Sequence, residues 1–167
     1  MKDILLRYAA YNYWAHSTLI ATLGKLTEKQ WHKDLGSSFP TVYKTLLHMY
    51  QAEKLWWMRI QLIEPAQLSE KDIKPTTAYL MESLVLQAES WIIWLQKQNE
   101  QTFTDYFSYK NLKQQNFVQP FWEVQMHIFN HATFHRGQII TMLRQLGVQN
   151  VPATDFVVWT REIAPAG

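Results

Sequence analysis

Two histidines stand four residues apart in the segment NHATFHRGQII, which spans residues 130–140. Residues at this spacing lie about 40° apart around an α-helix and about 6 Å apart along it. The imidazoles of His131 and His135 can therefore bind one ion from the same helix face, and H-x-x-x-H is a known metal-ligand spacing for this reason. The pair alone predicts a metal site and a pair of hydrogen-bonded core histidines about equally well.

A third histidine on another predicted helix can complete such a site. It belongs to a row at three- and four-residue spacing that consists of Thr45, His48, Ala52, Leu55 and Arg59. If this helix faces the one that carries His131 and His135, three imidazoles meet inside the protein. Three neutral imidazoles that leave one coordination position open are typical of catalytic zinc sites rather than of closed structural ones.

The remaining histidines are weaker candidates. His127 is one turn before His131 but beside the predicted core position Ile128, so we expect it to flank the site. We expect His16 to line the mouth of the pocket and His32, close to a turn, to be solvated. The sequence therefore indicates His48, His131 and His135 as the metal ligands.

The other polar residues near these histidines have structural interpretations. Glu53 is five residues after His48, about 140° around the helix from it, and is interpreted as the partner of a neighbouring Lys or Arg. Arg136 is expected to pair with a carboxylate, and Gly137 to permit close helix packing. Gln138 is expected to orient a ligand histidine or to bond a buried backbone group. No general base can be assigned from the sequence.

Composition narrows the possible chemistry. The chain has no cysteine, which excludes disulfides, thiolate ligands and a cysteine nucleophile, so His, Asp or Glu must hold any metal. A net charge of +2 gives no indication of binding to nucleic acid or to an anionic membrane. There is no secretory signal pattern and no apolar run near the roughly 18 residues of a membrane span. The sequence favours a soluble cytoplasmic protein of one domain, residues 1–167.

The segments between the few glycines and prolines have helical spacing. Four long helices are predicted over about residues 3–23, 41–63, 76–99 and 120–146, which together favour an all-α four-helix bundle. On the last helix the predicted core-facing row includes both histidines; it consists of Phe121, Val124, Ile128, His131, His135, Gln138 or Ile139, Met142 and Leu146.

The connections carry weaker signals. Thr27 and Gln30 are spaced as in a capping box that opens a short helical turn. Residues 64–76 are predicted to form a polar linker, and residues 102–119 a short hairpin or an irregular excursion. The segment VPATDFVVWTREI is expected to add one more short helix.

Three stretches of the chain resemble the DinB family, also called DinB/YfiT-like metalloenzymes. They are YNYWAHSTLIATLGKLT, SSFPTVYKTLLHMYQAEKLWW and HIFNHATFHRGQII, followed by VPATDF. The specific part is the NHxxxHRGQ segment with an upstream L-x-H. The resemblance implies a four-helix bundle of the up-down-down-up type and a divalent metal ion held by His48, His131 and His135. Thr41 stands where the family often has Ser, and it still permits capping.

The resemblance also implies an assembly and a class of reaction. Members usually form homodimers, and a surplus of aromatic residues (Trp56, Trp57, Trp91 and Trp94) independently favours a symmetric partner. Several related enzymes are thiol transferases that use bacillithiol, mycothiol or glutathione.

A divalent ion with three imidazoles can lower the pKa of bound water for hydrolysis, or activate an external thiol. We therefore expect a thiol S-transferase or hydrolase that acts on a small molecule, with zinc or nickel as the metal. Metal binding is expected to weaken as the pH falls through about 6.5, where histidine becomes protonated. The alternatives are a non-catalytic metal-binding bundle with a stabilising or sensing role, and a helical interaction protein without metal.

Overall fold

The computed structural model describes residues 1–62 and 75–164, and this part of the chain is mostly helical. In chain order its elements are α1 (Lys2–Leu23), α2 (Glu28–Trp31), α3 (Val42–Ile60), α4 (Thr77–Lys97), α5 (Glu100–Thr104), β1 (Tyr106–Lys110), β2 (Asn116–Pro120), α6 (Phe121–Gln145) and α7 (Phe156–Glu162). The four predicted long helices correspond to α1, α3, α4 and α6. Most of the predicted linker over residues 64–76, and the predicted end of the second helix at Ile63, lie outside the described residues.

Side-chain caps fix where the helices begin. The Thr27 hydroxyl accepts from the Gln30 backbone N–H, and the Gln30 side chain accepts from the Thr27 backbone N–H, which confirms the predicted capping box. The Thr41 hydroxyl accepts from the Lys44 N–H at 3.0 Å and so begins α3. Because α3 begins at this cap, His48 lies in its second turn. This N-terminal part of α3 is the part near α2.

A small sheet makes the all-α class too narrow. β1 and β2 pair antiparallel, with Tyr106 opposite Pro120 and Lys110 opposite Asn116. This hairpin confirms the prediction for the second part of residues 102–119. The first part forms the short helix α5, which was not predicted; the Asn99 side chain caps it by accepting from the Thr102 N–H at 2.9 Å. Five residues are too few for helical periodicity to be visible in a sequence.

Each of the four long helices packs closely against two of the others. α1 packs against α4 and α6, and α3 packs against the same two helices. His48 contacts His131 and His135, whereas Trp56, later in α3, contacts His127, which is earlier in α6. α3 and α6 therefore run in opposite directions along their shared face. No helix within residues 1–62 and 75–164 combines the length and apolar character that crossing a membrane requires.

α6 is buried over a wider face than the predicted row, because it packs against both α1 and α3. Five further side chains are almost completely buried: Gln125, Phe129, Ala132, Arg136 and Leu143. The predicted row includes buried apolar residues such as Ile128 and Ile139. The two histidines lie at the edge of the buried face: His135 is buried and His131 is half-buried.

Candidate metal centre

The structure brings together the three histidines predicted as ligands. Nε2 of His131 lies 3.1 Å from Nε2 of His48 and 3.1 Å from Nε2 of His135. One ring nitrogen from each residue lies within 4.8 Å of the other two. His48 comes from α3 and the other two come from α6, so the site depends on the packing of these two helices.

Hydrogen bonding directs His135 towards the centre of the site. Its Nδ1 lies 2.7 Å from Oε1 of Gln138, an amide oxygen that can only accept. His135 therefore carries its proton on Nδ1, and the Nε2 lone pair points at the other two imidazoles. A hydrogen bond to the distal ring nitrogen is the usual way in which proteins fix the tautomer of a metal ligand. Of the two roles expected for Gln138, the structure shows the orientation of a ligand histidine.

The three nitrogens cannot all be satisfied by hydrogen bonds between neutral rings. His131 can donate from Nε2 to His135, but a protonated Nε2 has no lone pair left to accept from His48. One of the two 3.1 Å contacts then has no hydrogen bond. Three lone pairs directed at a divalent ion remove this conflict. A zinc–nitrogen distance of about 2.0–2.1 Å places the nitrogens of a tetrahedral site roughly 3.3 Å apart, close to the separations found here.

Two phenylalanines form apolar walls around the histidines. Phe39 stacks on His48 with ring centroids 4.1 Å apart and meets His135 edge-on at 5.6 Å. Phe134 meets His135 edge-on at 5.1 Å, and 63% of its surface is exposed. The chain thus offers an exposed apolar side chain next to His135.

The electrostatic environment keeps the histidines neutral. Burial lowers the pKa of His48, His131 and His135. For His131 the pKa falls to about 4, because burial acts first and the neighbouring His135, His48 and His127 then oppose a positive charge. None of the three forms an ion pair with a carboxylate within the described residues. Neutral imidazoles are the form that binds a metal ion.

Comparison with known proteins agrees with this geometry. The model of the DinB family matches residues 1–164. Protein DinB of Bacillus subtilis (strain 168) is 31% identical to this chain over 169 residues, which cover 93% of each protein. The chain belongs to the DinB family. The resemblance inferred from the NHxxxHRGQ segment is therefore confirmed.

Two further histidines of this DinB family member lie where the sequence predicted them. His127 is exposed at the edge of the site, with its ring 5.9 Å from that of His131 and 5.4 Å from that of Trp56. It flanks the site and is not among the three converging residues. His32 is exposed and lies 2.9 Å from a Glu28 carboxylate oxygen, which confirms that it is solvated.

The prediction for His16 is wrong. Its side chain is completely buried, and its Nε2 lies 2.9 Å from Oε1 of Glu53. Glu53 is 2% exposed and also accepts a hydrogen bond from the indole N–H of Trp91 at 3.3 Å. The interpretation of Glu53 as the partner of a neighbouring Lys or Arg is therefore wrong as well. Its hydrogen-bond partners come from α1 and α4.

Arg136 is buried beside this pair. Its guanidinium donates to the Asn12 amide oxygen and, at 2.8 Å, to the Thr133 hydroxyl, and it lies 5.3 Å from the centre of the Tyr11 ring. Among the residues that the structure describes, no carboxylate forms the expected ion pair with Arg136. Burial lowers the pKa of Arg136, whereas the negative charge of Glu53 raises it. We call this group the central polar cluster: Asn12, His16, Glu53, Trp91 and Arg136.

Gly137 and the central polar cluster show what the sequence reasoning missed. Gly137 is exposed, and apart from its chain neighbours and its own helix backbone no heavy atom of the described residues would lie within 4 Å of a β-carbon added to it, so the expected close packing is absent. For Glu53 a signal was present in the sequence. It belongs to a row of otherwise apolar residues at helical spacing, which indicates a buried position: Leu46, Met49, Glu53, Trp56 and Ile60.

Proposed function

We propose that this DinB family protein is a divalent-metal-dependent enzyme that acts on a small molecule, as a thiol S-transferase or as a hydrolase. His48, His131 and His135 are the proposed ligands, and zinc or nickel is the proposed metal because imidazole suits both. The observation that carries this proposal is the convergence of three Nε2 atoms whose contacts cannot all be hydrogen bonds. Three protein ligands leave a position free for water or substrate.

The chain's own groups have separate roles in this reaction. When bound, the ion would supply a Lewis acid that lowers the pKa of a water or thiol in the free position. Gln138 holds His135 in the ligand tautomer. Phe39 and Phe134 exclude water from one side of the site and contact the apolar part of the substrate.

The absence of cysteine means that the thiol comes from a cosubstrate. In thiol transfer the S–H bond breaks and its proton passes to solvent. Sulfur then bonds to the electrophilic carbon, and the leaving group departs with its bonding electrons. A low-molecular-weight thiol stays reduced in the cytoplasm, which is the proposed compartment.

The long helices support the proposed up-down-down-up arrangement within one domain. Lys2, at the start of α1, donates to backbone carbonyls at Gln96 and Gln98, so α1 and α4 run in opposite directions. Tyr50 and Trp57 of α3 contact Tyr79 and Trp91 of α4 in the same order along both helices.

We also propose a homodimer, but on a basis other than a surplus of tryptophans. Trp91 is completely buried, and the other three pack against the cluster around it, so they are no surplus. The exposed apolar residues on α4 are instead Tyr79, Leu86 and Ile93, between 46% and 52% exposed and seven residues apart. Such residues form one straight stripe, which a second copy would cover. Sedimentation should show a dimer that Leu86→Glu converts to a monomer.

A non-catalytic role is the second candidate. The observation that favours it is the lack of a carboxylate paired with any of the three histidines in the described part of the chain, so no general base is evident. A metal that stabilises or senses would keep a fixed fourth ligand, whereas an enzyme needs an exchangeable one.

Metal analysis of protein purified without a histidine tag tests the proposal. We expect one divalent ion per chain after dialysis against zinc or nickel, and transfer or hydrolysis activity in a panel of low-molecular-weight thiols and electrophiles. Metal binding without displacement of the free-position ligand by any thiol would support the non-catalytic role. No bound metal after either dialysis would refute both.

A further inference from the structure

The row on α3 that contains His48 continues beyond the metal centre. Arg59 follows His48 by eleven residues, so the two lie within about 20° of each other around the helix and about 16 Å apart along it. The residues of the row between them, Ala52 and Leu55, are apolar and half-buried. The row therefore forms a strip that leads from the three histidines to a cation.

Arg59 is half-buried and rests on aromatic rings. Its guanidinium carbon lies 4.6 Å from the centre of the Trp56 ring and 5.4 Å from that of Tyr109 in β1. Within the described residues it forms no ion pair, and its buried Nε has no hydrogen-bond partner. A cation withdrawn from water in this way costs free energy unless an anion accompanies it.

The aromatic rings connect Arg59 to the metal centre. The Trp56 ring lies 5.4 Å from the ring of His127, and His127 lies 5.9 Å from that of His131. Each contact is between neighbouring side chains, so a continuous wall of rings joins the guanidinium to a proposed ligand. A molecule that extends along this wall would meet the metal at one end and the guanidinium at the other.

We propose that Arg59 binds the carboxylate of an elongated substrate or cosubstrate whose other end reacts at the three-histidine centre. This inference rests on the proposed function and adds the substrate class: an apolar chain with a terminal carboxylate. Ala52, Leu55 and Trp56 contact the apolar middle. The planar guanidinium, held in place by Trp56 and Tyr109, presents paired N–H groups that match a carboxylate. Arg59 is thus a specificity-determining residue.

A series of ω-mercapto acids and the ω-mercapto alcohols of the same length provides the test. Each thiol is titrated calorimetrically into zinc-loaded protein, whose metal content is measured first. Mercaptopropionate is too short to reach Arg59 and should bind like its alcohol. Mercaptooctanoate or mercaptoundecanoate should bind about tenfold more tightly than its alcohol, which is the effect of one charge-assisted contact at a half-buried site.

Three variants test whether Arg59 causes the tighter binding of the acids than of the alcohols. Arg59→Gln should remove the acid preference while leaving metal content and alcohol affinity unchanged. Arg59→Lys should keep part of the acid preference, because the positive charge remains but the paired N–H donors of the guanidinium are lost. Lys54→Gln is the matched control: Lys54 is on the same helix but lies over Tyr50, away from the histidines. It should keep the full preference.

The outcomes separate this inference from the proposed function. A lack of zinc in the wild-type protein refutes the function, whatever Arg59 does. If zinc is bound, equal affinities for acids and alcohols at every length, including no measurable binding of either, overturn the carboxylate site. Retention of the preference in Arg59→Gln also overturns it.

Discussion

The three-histidine centre and the central polar cluster both use histidine between packed helices, with opposite consequences. In the central polar cluster, the imidazole of His16 meets the carboxylate of Glu53, and the members are at most 2% exposed. In the three-histidine centre, at the edge of the buried face, the hydrogen-bond contacts that the described residues offer to the ring nitrogens come from the other two imidazoles and from Gln138. The first arrangement contains its own counter-charge. The second has lone pairs directed at one point and no group in the described chain to receive them.

This difference separates a residue that holds the fold together from a residue that can bind a ligand. Glu53 joins α3 to α1 and α4 through two hydrogen bonds, and its charge compensates Arg136 of α6. The loss of Glu53 is expensive, because it would leave the buried guanidinium of Arg136 without a compensating charge. The Nε2 atoms of the three histidines would all be satisfied only with an ion bound between them. Burial of a histidine therefore does not indicate function by itself. The groups that its ring nitrogens contact must be known as well.

The largest expected effect is the loss of metal from the three-histidine centre. His131 contacts both other ligands, so His131→Ala should reduce bound metal to near zero after dialysis against zinc or nickel. The free energy of unfolding of the metal-free protein should change by less than about 1 kcal/mol, because the side chain is half-buried and its contacts are not all satisfied.

Elemental analysis and urea denaturation measure the two quantities. His32→Ala is the control and should keep full metal content, since His32 is exposed and its ring contacts Glu28 rather than the three histidines. His127→Ala should have an intermediate or negligible effect. Full metal occupancy in His131→Ala would contradict the proposed ligand set.

For the central polar cluster we expect the reverse, a large loss of stability with little change in metal binding. Glu53→Ala leaves His16 and the Trp91 indole without their acceptor and Arg136 without a compensating charge. Removing one member of such a buried group should lower the free energy of unfolding by about 3–5 kcal/mol. Folded protein at saturating zinc should still bind one ion, because none of the proposed ligands contacts Glu53.

Glu53→Gln sharpens this prediction, because it keeps the shape and an acceptor oxygen while it removes the charge. It should be less destabilising than Glu53→Ala. Glu89→Ala, an exposed glutamate on α4, is the control and should change stability by less than about 0.5 kcal/mol. Comparable urea midpoints for Glu53→Ala and Glu89→Ala would show that the cluster does not stabilise the fold.

A third effect appears as a pH dependence. The pKa of His131 is about 4 in the folded protein, below its ordinary value near 6.5. Between these values the unfolded chain binds a proton that the folded chain does not, so stability falls as the pH is lowered from about 6.5 to about 4. Above about 6.5 this contribution is complete. Urea denaturation of metal-free protein at a series of pH values measures the slope, and His131→Ala should make it shallower.

The same shift corrects the expected pH dependence of metal binding. Protons compete with the metal only when they bind to the ligands, and burial lowers the pKa of all three histidines. Binding should therefore persist below pH 6.5, and protonation of His131 should compete with the metal only as the pH approaches about 4. An identical slope in wild type and His131→Ala, with metal lost at pH 6.5, would mean that His131 is not desolvated.

The comparison also shows what the sequence could reveal. The His131–His135 spacing and the row through His48 are local patterns, and local geometry was enough to predict that these side chains converge. The partners of Glu53 and Arg136 belong to other helices, and spacing along one helix contains no information about them. The predicted core-facing row does not include Arg136, because a single row describes one buried face of α6. Its contacts with both α1 and α3 give it a wider one.

The smallest effect concerns Gln138, the hydrogen-bond partner of His135. Gln138 accepts from Nδ1–H of His135 and so keeps the Nε2 lone pair directed at the ion. Gln138→Ala should leave the three ligands in place but lower zinc affinity about tenfold, the lower end of the range for such outer partners. Gln138→Glu should raise affinity above wild type, because a carboxylate makes the imidazole more basic. Gln145→Ala, an exposed glutamine on the same helix, controls for the loss of a side chain. Competition with a zinc chelator measures all three constants. If Gln138→Ala and Gln145→Ala bind zinc equally well, the ring of His135 is held by its packing against Phe39 and Phe134, and the hydrogen bond adds nothing.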